Sequence, residues 1–480
     1  MTKRFWIASL AAICASACAT TAAREELARE RLRELQGALP ANAVEVEAAA
    51  REILADTPTA SIERGATHVL AAALADQGRC DELLPDANEA ASSTDASAYA
   101  WRFAFSLEYE CEHYDRAAAL LSRFWQRYPD DLSGLPPQVV FRTAGRSRDA
   151  ALLAFLINGG WRPNDPALDM GELRLSLIRA HLANGDQEAA AAAARDLINN
   201  GSYDFGALVV LLSDRTFDTI IEADPARFDV NRIIEHYIEN SFAAYSANPR
   251  RLSTLNALAG ALQLVGRADE ASALIDDALA RQSEFADQEQ LNWAYQVRSN
   301  LRAELGLEQE ALKDLALGAE QGEDGRVVNV SQRLNRAGLL LSQERPAEAL
   351  REAQRVDPAH LSPYGRSVRR YIIVCSNAAL GLDVDMRAVL AEAAANASDS
   401  YMNLQAAAEC AGDLDLAAQA FVERLDDPID RRGAIISLQG FAGEPAPESW
   451  LASDPLYSRA DVQAAIARAM HIRTFPIRRP

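Results

Sequence analysis

The chain has 480 residues and a mass of 52.1 kDa, and 49% of its residues are hydrophobic, which suffices for the cores of two or three domains or of one long array. Its formal net charge of -21 at pH 7 repels phosphate backbones and anionic headgroups, whose binding depends on Lys and Arg. The composition therefore excludes a disordered chain, and the charge argues against nucleic acid as a partner.

The N-terminus has the pattern of a secretory leader. Lys3 and Arg4 precede an apolar run from Phe5 to Ala17, and this run is too short for a membrane-spanning helix of about 20 residues. Residues 1–17 are therefore predicted to be a signal peptide, and the mature protein is expected to be exported.

The residues around Cys18 leave two forms of the exported protein open. Ala15-Ser16-Ala17-Cys18 resembles the bacterial lipobox, whose cysteine is acylated, but Ala15 stands where that motif usually has Leu. The same residues also fit ordinary cleavage after Ala17. The first form is a lipoprotein, for which Ala19 resembles the default outer-membrane destination, and the second is a soluble periplasmic protein. Membrane attachment is expected only through a lipid on Cys18.

The stretch from Ala98 to Pro129 has apolar side chains at the spacing of two facing helices. Small Ala117 would let the two backbones approach closely. Pro129 would end the second helix, because proline has no N–H to donate. The pattern predicts one helix-turn-helix unit, whose facing positions are Trp101, Ala104, Phe105, Tyr114, Ala117, Leu121 and Phe124.

The same spacing recurs along the chain, usually with a glycine at the turn, where glycine permits a left-handed backbone. The pattern strongly resembles the tetratricopeptide repeat (TPR), a helix-turn-helix of about 34 residues. It implies an all-α fold, an α-solenoid of TPR-like repeats with an irregular helical connector where Pro136-Pro137 and Gly159-Gly160 interrupt the register. The turn glycines are Gly78, Gly185, Gly266, Gly306, Gly381 and Gly412.

These patterns divide the chain into six predicted segments. The last is expected to be a helix followed by a frayed basic tail, and no strand pattern of useful length is present. The segments are the signal peptide 1–17, N-terminal helices 18–58, TPR-like repeats 59–131, an irregular helical segment with a degenerate repeat 132–250, TPR-like repeats 251–430, and the C-terminal helix and basic tail 431–480.

Four cysteines remain in the mature chain besides Cys18. Cys80 and Cys111 are separated by 31 residues and Cys375 and Cys410 by 35, so each pair could join adjacent repeats by a disulfide in an oxidising periplasm. The alternative is four buried free thiols. Metal binding is not predicted, because no Cys-x-x-Cys or clustered His accompanies them.

The TPR resemblance also predicts where a partner would bind. In this family, positions 2, 5, 9 and 12 of the first helix of each repeat tend to line a concave groove. Amide, aromatic and arginine side chains there suit an extended peptide or a partner helix, although the aromatic residues could instead cover neighbouring repeats. The predicted groove residues are Tyr99, Arg102, Ser106, Tyr109, Asn256, Gln263, Trp293, Gln296 and Asn300.

No catalytic motif was found in the sequence. It has no His-Glu-x-x-His, Gly-x-Ser-x-Gly, phosphate loop or dinucleotide fingerprint, and its six histidines are scattered singly. The sequence therefore predicts a non-catalytic scaffold of the bacterial envelope, without a cofactor, that binds other envelope proteins or peptides. The alternative is an accessory subunit or enzyme of envelope protein processing whose site is not visible in the sequence, and a sugar polymer is a minor third candidate ligand.

Overall fold

The computed structural model describes most of the chain beyond the predicted signal peptide, and both residues 1–17 and Cys18 lie outside the described part. It forms two compact units, Met1–Leu168 and Asp169–Pro480. The division falls inside the predicted irregular segment 132–250. Positions 60, 61 and 80–82 are described by their backbone alone, and the described ranges are 25–39, 42–56, 59–128, 135–147, 149–159, 161, 170–199, 205–321, 329–358 and 361–480.

The first unit consists of helices in its described residues. The helices are α1 (25–38), α2 (Ala43–Ala55), α3 (Ala60–Asp76), α4 (Cys80–Ser92), α5 (Ala98–Glu110), α6 (Tyr114–Arg127), α7 (Pro137–Arg146) and α8 (Ala150–Asn158). Helix α2 packs against α3, α4 against α5, and α5 against α6. Helix α3 also packs beside α5, so the first helices of these neighbouring hairpins are adjacent.

The second unit continues the helical pattern. It also contains two strands of two residues each, β1 (Gly440–Phe441) and β2 (Thr474–Phe475), which pair in parallel. Its first group of helices is α9 (Met170–Ala183), α10 (Gln187–Asn199), α11 (Phe205–Ser213), α12 (Asp218–Ala223), α13 (Val230–Ala247), α14 (Leu252–Leu264), α15 (Ala268–Ala280), α16 (Leu291–Glu304) and α17 (Glu308–Glu320). The remaining helices are α18 (Val330–Ser342), α19 (Pro346–Gln354), α20 (Pro363–Ala379), α21 (Asp383–Ala395), α22 (Tyr401–Ala411), α23 (Leu414–Asp426), α24 (Arg431–Ser437) and α25 (Ala460–Ala469).

Eight of the hairpins turn in the same way. A residue with positive φ ends the first helix, and the next residue donates its N–H to the carbonyl five positions back, as Arg267 does to Leu262 at 2.9 Å. Glycine occupies six of these turns, as predicted, whereas Glu112 and Glu344 occupy the other two. The repeated turn confirms the predicted all-α, TPR-like helix-turn-helix fold. The eight positive-φ residues are Gly78, Glu112, Gly185, Gly266, Gly306, Glu344, Gly381 and Gly412.

Ion pairs with two recurrent sequence separations join the first and second helices of hairpins in the second unit. Arg174–Asp196 and Arg370–Glu392 are separated by 22 residues. The second pattern has a separation of 16 residues and occurs in Arg298–Asp314 and Arg336–Glu352. Each pair therefore links one position on the first helix of a hairpin to one position on its second helix.

The C-terminal residues are packed, and the expectation of a frayed tail is wrong. Phe475 and Ile477 are 2% and 1% exposed, and they belong to the core formed by α9–α14 and α20–α25. The backbone N–H of His471 donates to Ser213 at 2.8 Å, and that of Arg478 donates to Leu264 at 2.7 Å. Apolar side chains within the basic sequence therefore tie the end of the chain to helices near the start of this unit.

Candidate partner-binding face

The first helices α14 and α16 pack together and carry all five predicted partner-binding residues of the second unit, and α18 is joined to α16 by a hydrogen bond. Helix α14 begins at Leu252, where the carboxylate of Asp287 accepts hydrogen bonds from the N–H groups of Leu252 (2.7 Å) and Ser253 (3.0 Å) and from the Ser253 hydroxyl (2.8 Å). Burial would raise the pKa of Asp287, but these hydrogen bonds outweigh it and hold the pKa below its usual value. The cap fixes the helix that carries Asn256 and Gln263.

A row of hydrogen-bonded amides runs across these helices. Asn335 Nδ2 on α18 donates to Gln296 Oε1 on α16 at 2.8 Å, and Gln296 Nε2 donates to Asn300 Oδ1 at 2.9 Å. Gln263 Nε2 on α14 donates to Glu304 Oε2 at 2.9 Å. We call Asn256, Gln263, Trp293, Gln296, Asn300, Glu304 and Asn335 the amide row.

The middle of the amide row is accessible. Asn300 is exposed and Gln296, Gln263 and Trp293 are half-buried. Asn256 Oδ1 differs from these side chains, because it is buried and has no partner in the described part of the chain. An amide donates and accepts at the same time, so such a row can pair with both the N–H and the C=O groups of an extended backbone, while Trp293 offers an apolar surface.

The sequence reasoning missed two members of this row. Asn335 follows Gln296 by 39 residues, close to one repeat, but it lies in a hairpin without a turn glycine, so its position in the repeat was obscure. Glu304 is the last residue of α16 and falls outside the four groove positions of the repeat. Both were found only through their hydrogen bonds to residues that had been predicted.

The C-terminal residues reach one end of the amide row. The Arg478 guanidinium lies 3.8 Å from Glu304, the residue that binds Gln263. Hydrogen bonds and ion pairs join residues 470–479 to Ser213, Leu264 and Glu304, and among the described residues none joins them to Trp293 or Asn300. The end of the chain therefore covers the edge of the row and leaves its middle open.

The same face continues on α20 and α22. Counting back from the turns at Gly381 and Gly412 places Tyr371, Met402 and Glu409 at groove positions. The sequence could have predicted these three residues if the repeat numbering had been applied to these two hairpins. Burial raises the pKa of Tyr371 and of Glu409. An aromatic ring, a thioether and a carboxyl group thus follow the amides along neighbouring first helices.

The predicted groove residues of the first unit are less accessible. Arg102 and Ser106 are each 5% exposed, and Arg102 pairs with Glu63 of α3 at 3.0 Å, so both belong to the contact between helices. This placement corrects the expectation that they line an open groove. Tyr99 and Tyr109 are half-buried, and burial raises the pKa of Tyr109 to about 12.

Two cysteine sites lie in the described residues. Cys375 of α20 and Cys410 of α22 are at disulfide-bonding distance, with Cα atoms 5.0 Å apart, so they join two neighbouring first helices. Cys111 is also disulfide-bonded. The side chain of Cys80, its predicted partner, lies outside the described part.

The described residues show no other site of recognised chemistry. No group of three or more His, Cys, Asp or Glu side chains within the described ranges is arranged to hold a metal ion. In that same part of the chain, no helix has both the length and the apolar content required to cross a membrane.

No protein-family model matches the chain, and no curated protein matches its sequence. It is similar to a chain of the structure of Naa15/Naa10 bound to HypK-THB (15% identity, TM-score 0.28, covering 86% of this chain and 77% of that one). It is also similar to a chain of the APC/C hetero-tetramer Cut9–Hcn1, with 10% identity and a TM-score of 0.29 over 92% of this chain and 96% of that one. A third similar structure is the P58(IPK) TPR domain, with 12% identity and a TM-score of 0.18 over 84% of this chain and 97% of that one. The repeated turns and the packed helix pairs of this chain show its helix-turn-helix fold.

Proposed function

We propose that this protein is a non-catalytic scaffold of the bacterial cell envelope that binds extended segments of partner proteins on the amide row of its second unit. The observation that carries the proposal is the row itself, in which Asn335, Gln296 and Asn300 are joined in sequence by hydrogen bonds of 2.8 and 2.9 Å. These bonds orient the amides in advance, so less side-chain entropy is lost when a partner binds.

The chemistry of the row favours an extended polypeptide over a compact ligand. Its polar groups lie on successive helices and do not converge on a single point, so they match a ligand whose donors and acceptors also repeat along its length. Backbone amides of an extended chain have this property whatever its side chains are. Trp293 supplies the apolar contact that typically dominates the binding energy at protein interfaces.

The envelope location is supported by the sequence alone. Lys3, Arg4 and the following apolar run support export, and Cys18 supports a lipoprotein, with a soluble periplasmic protein as the second form. Fractionation of cells that express wild type or Cys18→Ala checks this part. Membrane association that is lost in the variant supports lipidation, and a cytoplasmic wild-type protein would contradict export.

Site-specific photocrosslinking in the host tests the binding face. A photoreactive amino acid at Asn300 should capture a small, recurrent set of envelope proteins, whereas the same group at exposed Lys313 on the second helix α17 should not. Adding Trp293→Ala should reduce capture from position 300. Equal capture from positions 300 and 313, or capture that Trp293→Ala leaves unchanged, would refute binding on the amide row.

A further inference from the structure

A cluster of arginines on the hairpin α18–α19 stands out from the acidic chain. Residues 330–371 contain eight arginines and four acidic residues, a local charge of +4 in a chain whose net charge is -21. Four of these side chains surround the contact between α18 and α19. We call Arg333, Arg336, Arg345 and Arg355 the arginine cluster.

The preceding hairpin shows what a balanced version of this arrangement contains. Arg298 of α16 binds Asp314 at 2.6 Å and Asp276 at 2.9 Å, and Arg302 binds the same two aspartates at 2.8 and 3.3 Å. Two carboxylates therefore serve two guanidinium groups. Each arginine has two acidic partners.

The arginine cluster has half as many carboxylates for each guanidinium group. Arg336 pairs with Glu352, and Arg345 pairs with Glu348 at 2.7 Å. Among the described residues, Arg355 approaches one carboxylate, that of Glu352, at 3.8 Å, and Arg333 has no acidic partner. Two carboxylates thus serve four guanidinium groups.

The aspartate at the equivalent position of the preceding hairpin is already engaged. Asp276 precedes Arg298 by 22 residues, and the residue at the same spacing before Arg336 is Asp314. Asp314 is already bound by Arg298 and Arg302. The acidic side chain that completes the preceding network is therefore not available to complete this one.

Two buried nitrogen atoms of the arginine cluster have no hydrogen-bond acceptor in the part of the chain that the structure describes. Arg336 Nε and Arg345 Nη1 are buried and lack hydrogen-bond partners within the described residues. Burial and then repulsion from Arg345 lower the pKa of Arg336, and the attraction of Glu348 offsets only part of this lowering, to which Arg355 and Arg333 also contribute. An additional carboxylate near the cluster would offset this repulsion.

We propose that the arginine cluster binds an acidic segment of a partner polypeptide, whose carboxylates pair with the outer guanidinium groups of Arg333 and Arg355. Arg355 is accessible, with a side chain that is 67% exposed, and Arg333 is half-buried. A carboxylate matches the planar fork of a guanidinium and can bind it through two hydrogen bonds. The site is independent of the amide row and lies on different residues of the unit.

The negative charge of the rest of the chain determines which class of anionic partner can approach the arginine cluster. A long polyanion such as nucleic acid, or the surface of an anionic membrane, would have to approach the acidic remainder of the chain as well. A short acidic segment needs to contact only the cluster. The surroundings therefore favour a polypeptide, and the other two classes serve as alternatives in the test.

The proposal is tested by fluorescence anisotropy with a labelled synthetic peptide of alternating Glu and Ser. Saturable binding that weakens with added salt is expected for wild type, and Arg333→Glu with Arg355→Glu should weaken it by roughly tenfold or more. The matched control is Arg250→Glu with Arg387→Glu, which makes the same change in net charge at exposed arginines outside the cluster. This control should retain most of the affinity.

The competing outcomes are distinct. Absence of binding to wild type, or an equal loss of affinity in both double variants, would overturn the proposal. It would also be overturned if single-stranded DNA or vesicles containing phosphatidylglycerol bound to the cluster more tightly than the peptide did. Thermal unfolding of each variant shows whether it is folded, and Arg333→Gln with Arg355→Gln repeats the test with a smaller change in charge.

Discussion

At the scale of single residues, backbone conformation explains where the hairpins turn. Six turns have glycine at the residue with positive φ, whereas Glu112 and Glu344 adopt φ values of 59° and 57°. A side chain in this region costs about 1–2 kcal/mol because its Cβ approaches the following carbonyl oxygen. Both glutamates are exposed, so no packing interaction requires them at these positions.

Replacing Glu112 by glycine is therefore expected to stabilise the first unit. Relief of the left-handed strain outweighs the extra entropy of glycine in the unfolded chain, for a net gain of about 0.5–1 kcal/mol in the free energy of unfolding. Urea unfolding measures the change. The reverse substitution, Gly381→Ala, meets no atom within 4 Å and should destabilise by a similar amount through backbone strain alone. A loss of stability in Glu112→Gly would contradict this explanation.

At the scale of elements, the pairing of helices depends on small residues in the contact. Ala117 of α6 is 0% exposed and lies between Tyr114 and Leu121 on the side that faces α5, as the spacing predicted. Helix α6 can approach α5 closely because alanine fills little space. Larger side chains such as Phe105 and Phe124 then close the remaining core around this contact.

Substitution of Ala117 by arginine is expected to disrupt this hairpin. The long side chain overpacks the contact and places a charge among apolar groups, at a cost of about 3 kcal/mol or more. Thermal or urea unfolding measures the loss. Ala119→Arg is the matched control, because Ala119 is exposed on the same helix, and it should leave stability nearly unchanged. Equal effects of the two substitutions would show that the assigned helix face is incorrect.

At the scale of the whole molecule, buried charges join helices near the start of the second unit, α9 and α11, to α24 near its end. Arg431 of α24 binds the carboxylate of Asp214, at the end of α11, at 2.7 and 2.8 Å. Arg179 of α9 lies 3.5 Å from Asp214 and 2.8 Å from Glu172. Removal of one partner from such a network leaves the other charge buried and unpaired, which lowers the free energy of unfolding.

Glu172 makes the stability of this network depend on pH. Burial raises its pKa to about 7, because Glu172 Oε2 has no hydrogen-bond partner in the described residues and the attraction of Arg179 compensates only in part. The folded state holds this proton up to about pH 7, whereas the unfolded chain loses it near the ordinary value of 4.5. Glu172 therefore contributes stability below pH 4.5, and this contribution is lost as the pH rises to 7 and above.

The Glu172→Gln variant isolates this effect. Its stability relative to wild type should increase between pH 5 and pH 8, by a difference on the order of 3 kcal/mol, because glutamine does not titrate. Melting temperatures of both proteins across this range measure the difference, and groups that titrate in both proteins cancel. The pKa of Asp214 is lowered, so the titration of Asp214 changes stability at a lower pH than the titration of Glu172 does. A constant difference between variant and wild type would contradict the raised pKa.

The local features of this protein could be predicted from sequence. The facing apolar positions of α5 and α6 and the six turn glycines depend on helix periodicity and on backbone preferences, both of which act over fewer than about 40 residues. The predicted amides at Gln263, Gln296 and Asn300 were found on adjacent first helices for the same reason. Glu344 was missed because it replaces the glycine that otherwise marks the turn.

Tertiary structure alone decided the features that join distant parts of the chain. The basic residues near the C-terminus suggested a solvated end, but Phe475 and Ile477 are buried because β2 pairs with β1 and the backbone of Arg478 binds Leu264. Arg431 meets Asp214 across 217 residues, a contact for which no local pattern exists. Periodicity identifies which face of a helix is apolar, whereas only the packing of all the helices determines which distant residues that face meets.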